Sequence, residues 1–476
     1  MPFLRLFIVS LLISPISSFA DNNLPIFGDT TSGIISLNKE HELGQAWARS
    51  LRGGAKLLDD PITYSYLNDM LWKLAANSPL QDKRLELILL DNPTLNAFAV
   101  PGGIIGIHGG LILSADNEDE LASVIAHELA HLSQRHFASQ LEEARRNRPF
   151  TLAALLASIL VASADGQAGA AAISTTIASQ QSAALAFSRQ NEQEADRIGM
   201  QTLVDSGIDP AAMPRMFSRL MRSQRFDRNR PPEFLLTHPV SESRIADALN
   251  RSSQFPTQAQ LSNSKEYELI RTRMSVHFAK SPQEAYAFYR QSADADPTPK
   301  ALYGLALAAM DTNRYQEAEN ALQKMPEIWR KMLYVKLTEA EIDLAHESWT
   351  AATTKLHALN ELYPSTYTIE KLFSKALVAQ GKAAEAIRIM NDIKREHPKD
   401  VNNWYLLAEA YGQNNERMDV HLTRIEYFLL TGQTDRANQQ ITFARREKIL
   451  TAYEVARLDQ LEQETKAVRE AMKMDI

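Results

Sequence analysis

The chain has 476 residues and a mass of 53.4 kDa, which is too long for one ordinary domain and suggests two or three. With 51 basic against 58 acidic residues it carries a net charge of −7, and no basic stripe offsets it, so nucleic-acid binding is not expected. Because there is no cysteine, any zinc site must use His, Glu and Asp, a ligand set more typical of catalytic than of structural zinc.

Residues 1–20 have the pattern of a secretory signal peptide. Arg5 precedes an apolar core at residues 6–13, and Ser18-Phe19-Ala20 supplies a cleavage site of the small-x-small type. An uncleaved membrane anchor is the alternative, but the apolar run is shorter than the roughly 20 residues that a spanning helix needs. We therefore predict export, cleavage near Ala20 and a mature chain without a transmembrane helix.

The first half of the mature chain predicts a mixture of helices and short strands. A helical pattern covers about residues 38–77, and runs of strand length follow at 85–90 and within 96–113. A long helix is then predicted from Asp116, whose side chain can cap it, to about residue 145.

Two segments allow more than one interpretation. Residues 102–109, which are rich in glycine, form either an edge strand that pairs with an extended substrate or part of an ordinary hairpin. Residues 150–187 are apolar and small, and they form either a membrane-dipping hairpin or flap over the active site, or a buried helix pair. The apolar run is short for a membrane span, which favours the buried pair.

The chemistry is concentrated in an H-E-x-x-H sequence at residues 127–131. His127 and His131 lie at i and i+4, about 40° apart around a helix, so both imidazoles can reach one ion. Glu128 lies roughly 100° away and can take a proton from a water on that ion. His41 begins a similar sequence in which glutamine replaces the second ligand, so we assign it no metal role.

A later acidic segment offers the remaining groups. Glu192 and Asp196 share one predicted helix face, where Glu192 can complete a two-His, one-Glu site and Asp196 can accept the second N–H of a ligand histidine. A solvated acidic face is the alternative, and we assign Glu194 to such a face. His136, nine residues after His127, is expected on the opposite face of its helix as a surface or packing histidine.

A proline-rich break contains His238 in a T-H-P sequence, with Arg244 shortly after it. A loop at this position can bring His238 to the metal, where it would stabilise the oxyanion of the tetrahedral intermediate or fill the fourth position of the zinc ion and keep the enzyme latent. A histidine on a surface loop is the alternative. We expect His238 to act as a gate.

After about residue 255 the sequence changes to repeated helix pairs. Three alanines recur at one constant interval, and a proline follows the second and the third of them at the same offset: Ala318, Ala352, Ala386, Pro364 and Pro398. The interval is that of tetratricopeptide repeats, in which small residues let two helices approach closely. Beyond Tyr411 the register changes, which predicts a shortened or capping repeat.

Several of these motifs together resemble the HtpX/Oma-type zinc metallopeptidases, a gluzincin family. The resemblance rests on the H-E-x-x-H helix, the E-x-x-x-D segment at residues 192–196, the preceding segment at residues 96–103 and the T-H-P sequence around His238. Several relatives contain membrane-spanning segments, and such segments are not evident here.

The resemblance implies one Zn²⁺ per chain, with His127, His131 and Glu192 as ligands and Glu128 as the base. It also implies a periplasmic quality-control role, in which the substrates are unfolded or stalled outer-membrane β-barrel proteins. The repeats would then contact the β-barrel assembly machinery.

We therefore expect a mainly α fold with a small β-sheet. A zincin-like α+β metalloprotease domain would occupy residues 21–255, and a tetratricopeptide α-solenoid would occupy residues 256–476. The predicted function is that of a zinc metalloendopeptidase that degrades misassembled outer-membrane proteins and assists their assembly. The alternative is a chaperone or assembly scaffold with a latent zinc centre, whereas an adaptor made only of repeats would leave the first half of the chain unexplained.

Overall fold

The structure is a computed structural model, and it describes residues 36–140, 188–226, 232–256, 264–447 and 449–473. The predicted signal peptide and the segment at residues 150–187 lie outside the described residues. Within the described ranges, no helix is both long enough and apolar enough to cross a membrane.

The first part of the chain consists of helices packed around a small sheet. Its elements up to the metal motif are α1 (Leu37–Gly54), α2 (Pro61–Ala76), β1 (Glu86–Leu90), β2 (Ala97–Val100), β3 (Ile104–His108), α3 (Gly109–Ser114) and α4 (Glu118–Ser133). After residue 188 the helices are α5 (Arg189–Asp205), α6 (Ala212–Phe226), α7 (Glu233–Thr237) and α8 (Glu242–Ser252).

The three described strands form a sheet in the order β1-β3-β2, in which β3 lies between a parallel and an antiparallel neighbour. Of the two interpretations of residues 102–109, the hairpin is therefore right, and among the described strands β2 lies at an edge of the sheet. The turn from β2 to β3 requires glycine, because φ is 81° at Gly102 and 83° at Gly103.

Helix α4, which contains the H-E-x-x-H motif, is buried on all sides from residue 119 to residue 131. Asn117 caps it by accepting a hydrogen bond from the Glu120 N–H at 3.0 Å, so the prediction that Asp116 is the cap was wrong. Asp116 instead pairs with Arg219 of α6. The helix also ends earlier than predicted, at Ser133, and the chain turns at Arg135, where φ is 53°.

The rest of the chain is a series of antiparallel helix pairs. Their bounds are α9 (Lys265–His277), α10 (Pro282–Ala295), α11 (Pro299–Asp311), α12 (Tyr315–Lys324), α13 (Glu327–Arg330), α14 (Leu333–Ala345), α15 (Trp349–Leu362), α16 (Tyr367–Ala379), α17 (Ala383–Glu396), α18 (Val401–Gln413), α19 (Arg417–Leu430), α20 (Thr434–Ala444) and α21 (Ala452–Lys473). The first helices of successive pairs begin at regular intervals, at positions 265, 299, 333, 367 and 401. This interval is the predicted tetratricopeptide period, which is thus confirmed.

The turns inside these pairs repeat with the same period. Four residues at equivalent positions of successive pairs adopt positive φ angles: Asn313, Glu347, Gly381 and Asn415. The predicted change of register after Tyr411 was placed too early, because the pair α18–α19 is regular. The last pair is the irregular one, since α20 has 11 residues and α21 has 22.

The helical array packs back on the first part of the chain. Helix α9 contacts α3, α16 contacts α2, and α21 contacts α1. The hydroxyl group of Tyr267 in α9 donates to the carbonyl oxygens of Ile112 and Ala115 at 2.8 and 2.9 Å. One cluster of buried apolar side chains extends from α2 and α4 into α18, so the two parts share a core.

A buried arginine connects three elements at this junction. Arg273 of α9 pairs with Asp60 and with Glu341 of α14, each at 2.9 Å. Asp60 also caps α2, because it accepts hydrogen bonds from the backbone N–H groups of Ile62 and Thr63. One guanidinium therefore fixes the start of α2 against the repeats.

Replacing this arginine tests how strongly the junction is held. We expect Arg273→Met to lower the free energy of unfolding by about 3–5 kcal/mol, because two buried carboxylates lose their shared cation. Urea unfolding followed by circular dichroism measures the change. Arg290, which joins Asp294 and Glu317 on the surface, is the control, and Arg290→Met should leave the transition nearly unchanged. If both variants lost a similar free energy of unfolding, the burial of Arg273 would add nothing to stability.

Candidate metal centre

Helices α4 and α5 pack side by side and bring the predicted metal-binding groups together. His127 and His131 project from α4, and Glu192 projects from the first turn of α5. Gly199 permits this approach, because a Cβ at this position would lie 3.2 Å from the Ala126 carbonyl and the His127 Cα. The contact between the helices thus depends on a residue without a side chain.

Four buried side chains offer ligand atoms within 4.8 Å of one another: His127, His131, Glu192 and His238. The Nε2 atoms of His127 and His131 are 3.0 Å apart, and each lies 3.5 Å from a Glu192 oxygen. Ligands of tetrahedral zinc, at bond lengths of about 2.0–2.1 Å, lie roughly 3.3–3.4 Å from each other. The arrangement therefore fits a zinc ion.

His238 lies immediately after α7, and its side chain is only 2% exposed, which excludes the interpretation of a surface histidine. Its Nδ1 is 3.0 Å from a Glu192 oxygen and 3.4 Å from His127 Nε2. Its Nε2 is 3.4 Å from Glu128 Oε1. The ring stacks on Phe234, one turn earlier, with centroids 4.7 Å apart. His238 thus reaches the metal position and also faces the predicted base.

Asp196 and Arg244 hold the metal-binding groups in place. Asp196 Oδ1 lies 3.1 Å from His127 Nδ1, so it can accept the Nδ1–H and leave Nε2 for the metal. Arg244 binds Asp196 through two hydrogen bonds of 2.6 and 2.7 Å and approaches Glu192 at 2.7 Å. From the sequence we noted Arg244 but gave it no role, because nothing in the spacing shows that it joins these two carboxylates.

The prediction that His136 faces away from the site was wrong. The side chain is 3% exposed, and its Nδ1 lies 3.0 Å from the Nδ1 of His131. Its Nε2 lies 3.4 Å from Glu194, a carboxylate that is half exposed. The helical projection fails because α4 ends at Ser133 and the positive φ at Arg135 turns the chain back.

The charges around the cluster favour a cation. Burial alone would lower the pKa of His127, but its contacts with Asp196 and Glu192 raise that pKa to about 9. Burial and the neighbouring His127 keep the pKa of His131 well below its usual value. Burial also raises the pKa of Glu128. The carboxylates therefore stabilise positive charge at this point, whether as a proton on His127 or as a bound cation.

The edge of β2 that faces away from β3 lies beside Glu128. The backbone N–H of His108 donates to the Asn96 carbonyl at 3.0 Å. Along an antiparallel strand every second residue forms hydrogen bonds with the partner strand, so the backbone N–H and C=O groups of Ala97 and Ala99 point away from β3. The backbone of Ala99 lies next to Glu128. Within the described part of the chain, neither oxygen of Glu128 has a hydrogen-bond partner of good geometry. The Glu128 carboxylate therefore lies between the backbone of Ala99 and the ring of His238.

Known proteins are similar in sequence to this chain along most of its length. Residues 61–252 match the model of peptidase family M48. The beta-barrel assembly-enhancing protease of Escherichia coli (strain K12) is 34% identical over 93% of this chain and 91% of its own length, and that of Yersinia pestis is 32% identical over 94% of both. The mitochondrial metalloendopeptidase OMA1 of Schizosaccharomyces pombe is 32% identical over 47% of this chain and 64% of its own length.

Glu233, at the start of α7, connects the helix that precedes His238 to the β2 strand. The side-chain nitrogen of Asn96 donates to Glu233 at 3.1 Å, and burial raises the pKa of Glu233 from 4.5 to about 7. The unfolded chain releases this proton at lower pH than the folded chain. The folded state therefore loses stability as pH rises from about 4.5 to 7, and the loss persists above pH 7.

Glu233→Gln removes this charge and keeps the acceptor for Asn96. We expect the variant to be more stable than the wild type at pH 8, by at most about 3 kcal/mol, with the difference vanishing near pH 4.5. Thermal unfolding of both proteins across this pH range measures it. A difference that does not shrink towards acid pH would contradict the buried-charge explanation.

Proposed function

The chain belongs to peptidase family M48, a family of zinc-dependent metallopeptidases, and on that premise we propose that it degrades misassembled or stalled outer-membrane β-barrel proteins in the periplasm and assists their assembly. The names of the relatives that align over nine-tenths of the chain support the substrate class. The observation that carries the proposal is the meeting of three imidazoles and one carboxylate at a single buried point.

We assign His127, His131 and Glu192 as the zinc ligands, with His238 as a fourth ligand in the resting state. The separations of 3.0–3.5 Å between their ligand atoms support this assignment. A bound zinc ion supplies Lewis-acid chemistry, which polarises a peptide carbonyl and makes water more acidic.

Glu128 is the proposed general base. Its carboxylate takes a proton from the attacking water as the water oxygen bonds to the peptide carbonyl carbon. It then gives this proton to the leaving nitrogen as the C–N bond breaks. Burial raises the pKa of Glu128 above its usual value, which favours acceptance of a proton by this carboxylate.

The substrate is proposed to bind as an extended strand along β2. The backbone N–H and C=O of Ala97 would supply main-chain hydrogen bonds to the substrate, and the backbone of Ala99 contacts Glu128, so the scissile bond would lie near the base. Main-chain pairing selects for extended backbone and not for particular side chains. A protease that removes proteins because they are unfolded needs this kind of selectivity.

We propose a catalytic domain at residues 21–255 and a tetratricopeptide domain at 256–476, which would contact substrates and the β-barrel assembly machinery. Two observations support this boundary: the family match ends at residue 252, and the regular helix pairs begin at residue 265. A cavity of about 460 Å³ lies where the array meets the loop before α2, and Trp349 and Tyr405 are among its lining residues. Such a surface can bind a partner whether or not the catalytic centre is active.

Glu128→Gln separates catalysis from the alternative function of a scaffold. The amide has the shape of the carboxylate but cannot take the proton, so we expect cleavage of an unfolded outer-membrane protein to fall by at least about 10²-fold. Zinc content, measured by mass spectrometry, should not change, because Glu128 is not a ligand. Unchanged cleavage would contradict the assignment of the base. If the variant supports outer-membrane assembly in cells as well as the wild type does, the protein acts mainly as a scaffold.

His238→Ala tests the proposed gate. Removing the imidazole frees both the fourth metal position and the space beside Glu128, so basal proteolysis should rise several-fold. His277→Ala is the control, because His277 is a partly exposed histidine on α9 and should leave the rate unchanged. An unchanged rate in the His238 variant would argue against a gate, and a lower rate would indicate the oxyanion role.

A further inference from the structure

We infer that His136 and Glu194 position His131, and that they do so by fixing which of its ring nitrogens carries the proton. The inference rests on the proposed function, because it takes His131 as a zinc ligand. It assigns a purpose to His136, which lies outside the H-E-x-x-H motif, and to Glu194, for which the sequence predicted only a solvated face.

Metal binding by His131 would fix the direction of each hydrogen bond. The Nδ1 atoms of His131 and His136 are 3.0 Å apart, and their rings are nearly perpendicular, at 75°. A single proton lies between two such nitrogens. If His131 binds a metal through Nε2, its Nδ1 carries the proton and His136 Nδ1 accepts it. His136 then carries its own proton on Nε2, which faces Glu194 at 3.4 Å.

The two predicted ligand histidines are therefore held in different ways. His127 contacts the buried carboxylate of Asp196 directly, whereas His131 contacts a second imidazole that leads to the half-exposed Glu194. The backbone supports the second arrangement, because the ion pair between Arg135 and Glu40 of α1 holds the turn that presents His136. Both arrangements leave an Nε2 lone pair for the metal.

Two substitutions of similar shape test the role of His136. Asn places its side-chain oxygen where the Nδ1 of His136 lies, so His136→Asn keeps an acceptor for His131. His136→Leu fills nearly the same space without one. We expect the Leu variant to bind zinc about 10–100-fold more weakly than the wild type, and the Asn variant to stay within about threefold.

The measurement is zinc affinity by competition with a chelating dye, which does not depend on catalysis. Long-range ¹⁵N–¹H spectra of histidine-labelled protein add a second readout, because they show whether the Nδ1 of His131 is protonated. The Asn variant should keep the wild-type pattern, and the Leu variant should lose it. An Asn variant as weak as the Leu variant, or a Leu variant within threefold of wild type, would overturn the inference.

A surface substitution covers the case in which the Leu variant does not fold. Glu194→Ala should weaken zinc binding several-fold, and Glu194→Gln, which keeps an acceptor for His136, should restore most of the loss. Equal zinc affinity in both Glu194 variants and the wild type would overturn the inference. A wild-type protein that binds no zinc would instead overturn the proposed function.

Discussion

The packing of α4 against α5 is the contact on which the rest of the site depends. It places two histidines and two carboxylates in a region without access to solvent, at a separation that Gly199 makes possible. Buried charges must be matched, and Arg244 matches them by binding Asp196 and Glu192 at once. The same arginine follows His238 by six residues. Its ion pairs with Asp196 and Glu192 therefore also hold the segment that contains His238 close to the cluster.

The position of His238 links the metal centre to the substrate edge. Helix α7 brings its ring to the ligand atoms and to Glu128, and at its other end Glu233 accepts a hydrogen bond from Asn96, just before β2. Under the proposed gate function, His238 would have to leave the other ligand atoms and Glu128 before a substrate reacts. The short segment that contains His238 would then have to move.

The helical array is joined to the catalytic part through a continuous core and through the buried pairs of Arg273. Buried ion pairs of this kind disfavour other arrangements of the elements they join, because an arrangement that separates the pair leaves a buried charge unpaired. A partner bound by the repeats would therefore lie in a defined position relative to the metal centre. This geometry suits an enzyme that must hold and cleave the same protein.

Local spacing in the sequence was enough to predict much of this protein. The i, i+4 relation of His127 and His131, the acidic pair at Glu192 and Asp196, and the tetratricopeptide period all follow from the fixed pitch of a helix and the fixed length of a repeat. Tertiary structure alone decided that His136 contacts His131, that Arg244 joins the two carboxylates, and that β2 lies at an edge of the described sheet. Those features depend on a turn of the chain at Arg135, on the pairing of strands within the sheet and on contacts between separate helices. No periodicity within a single segment records such relations.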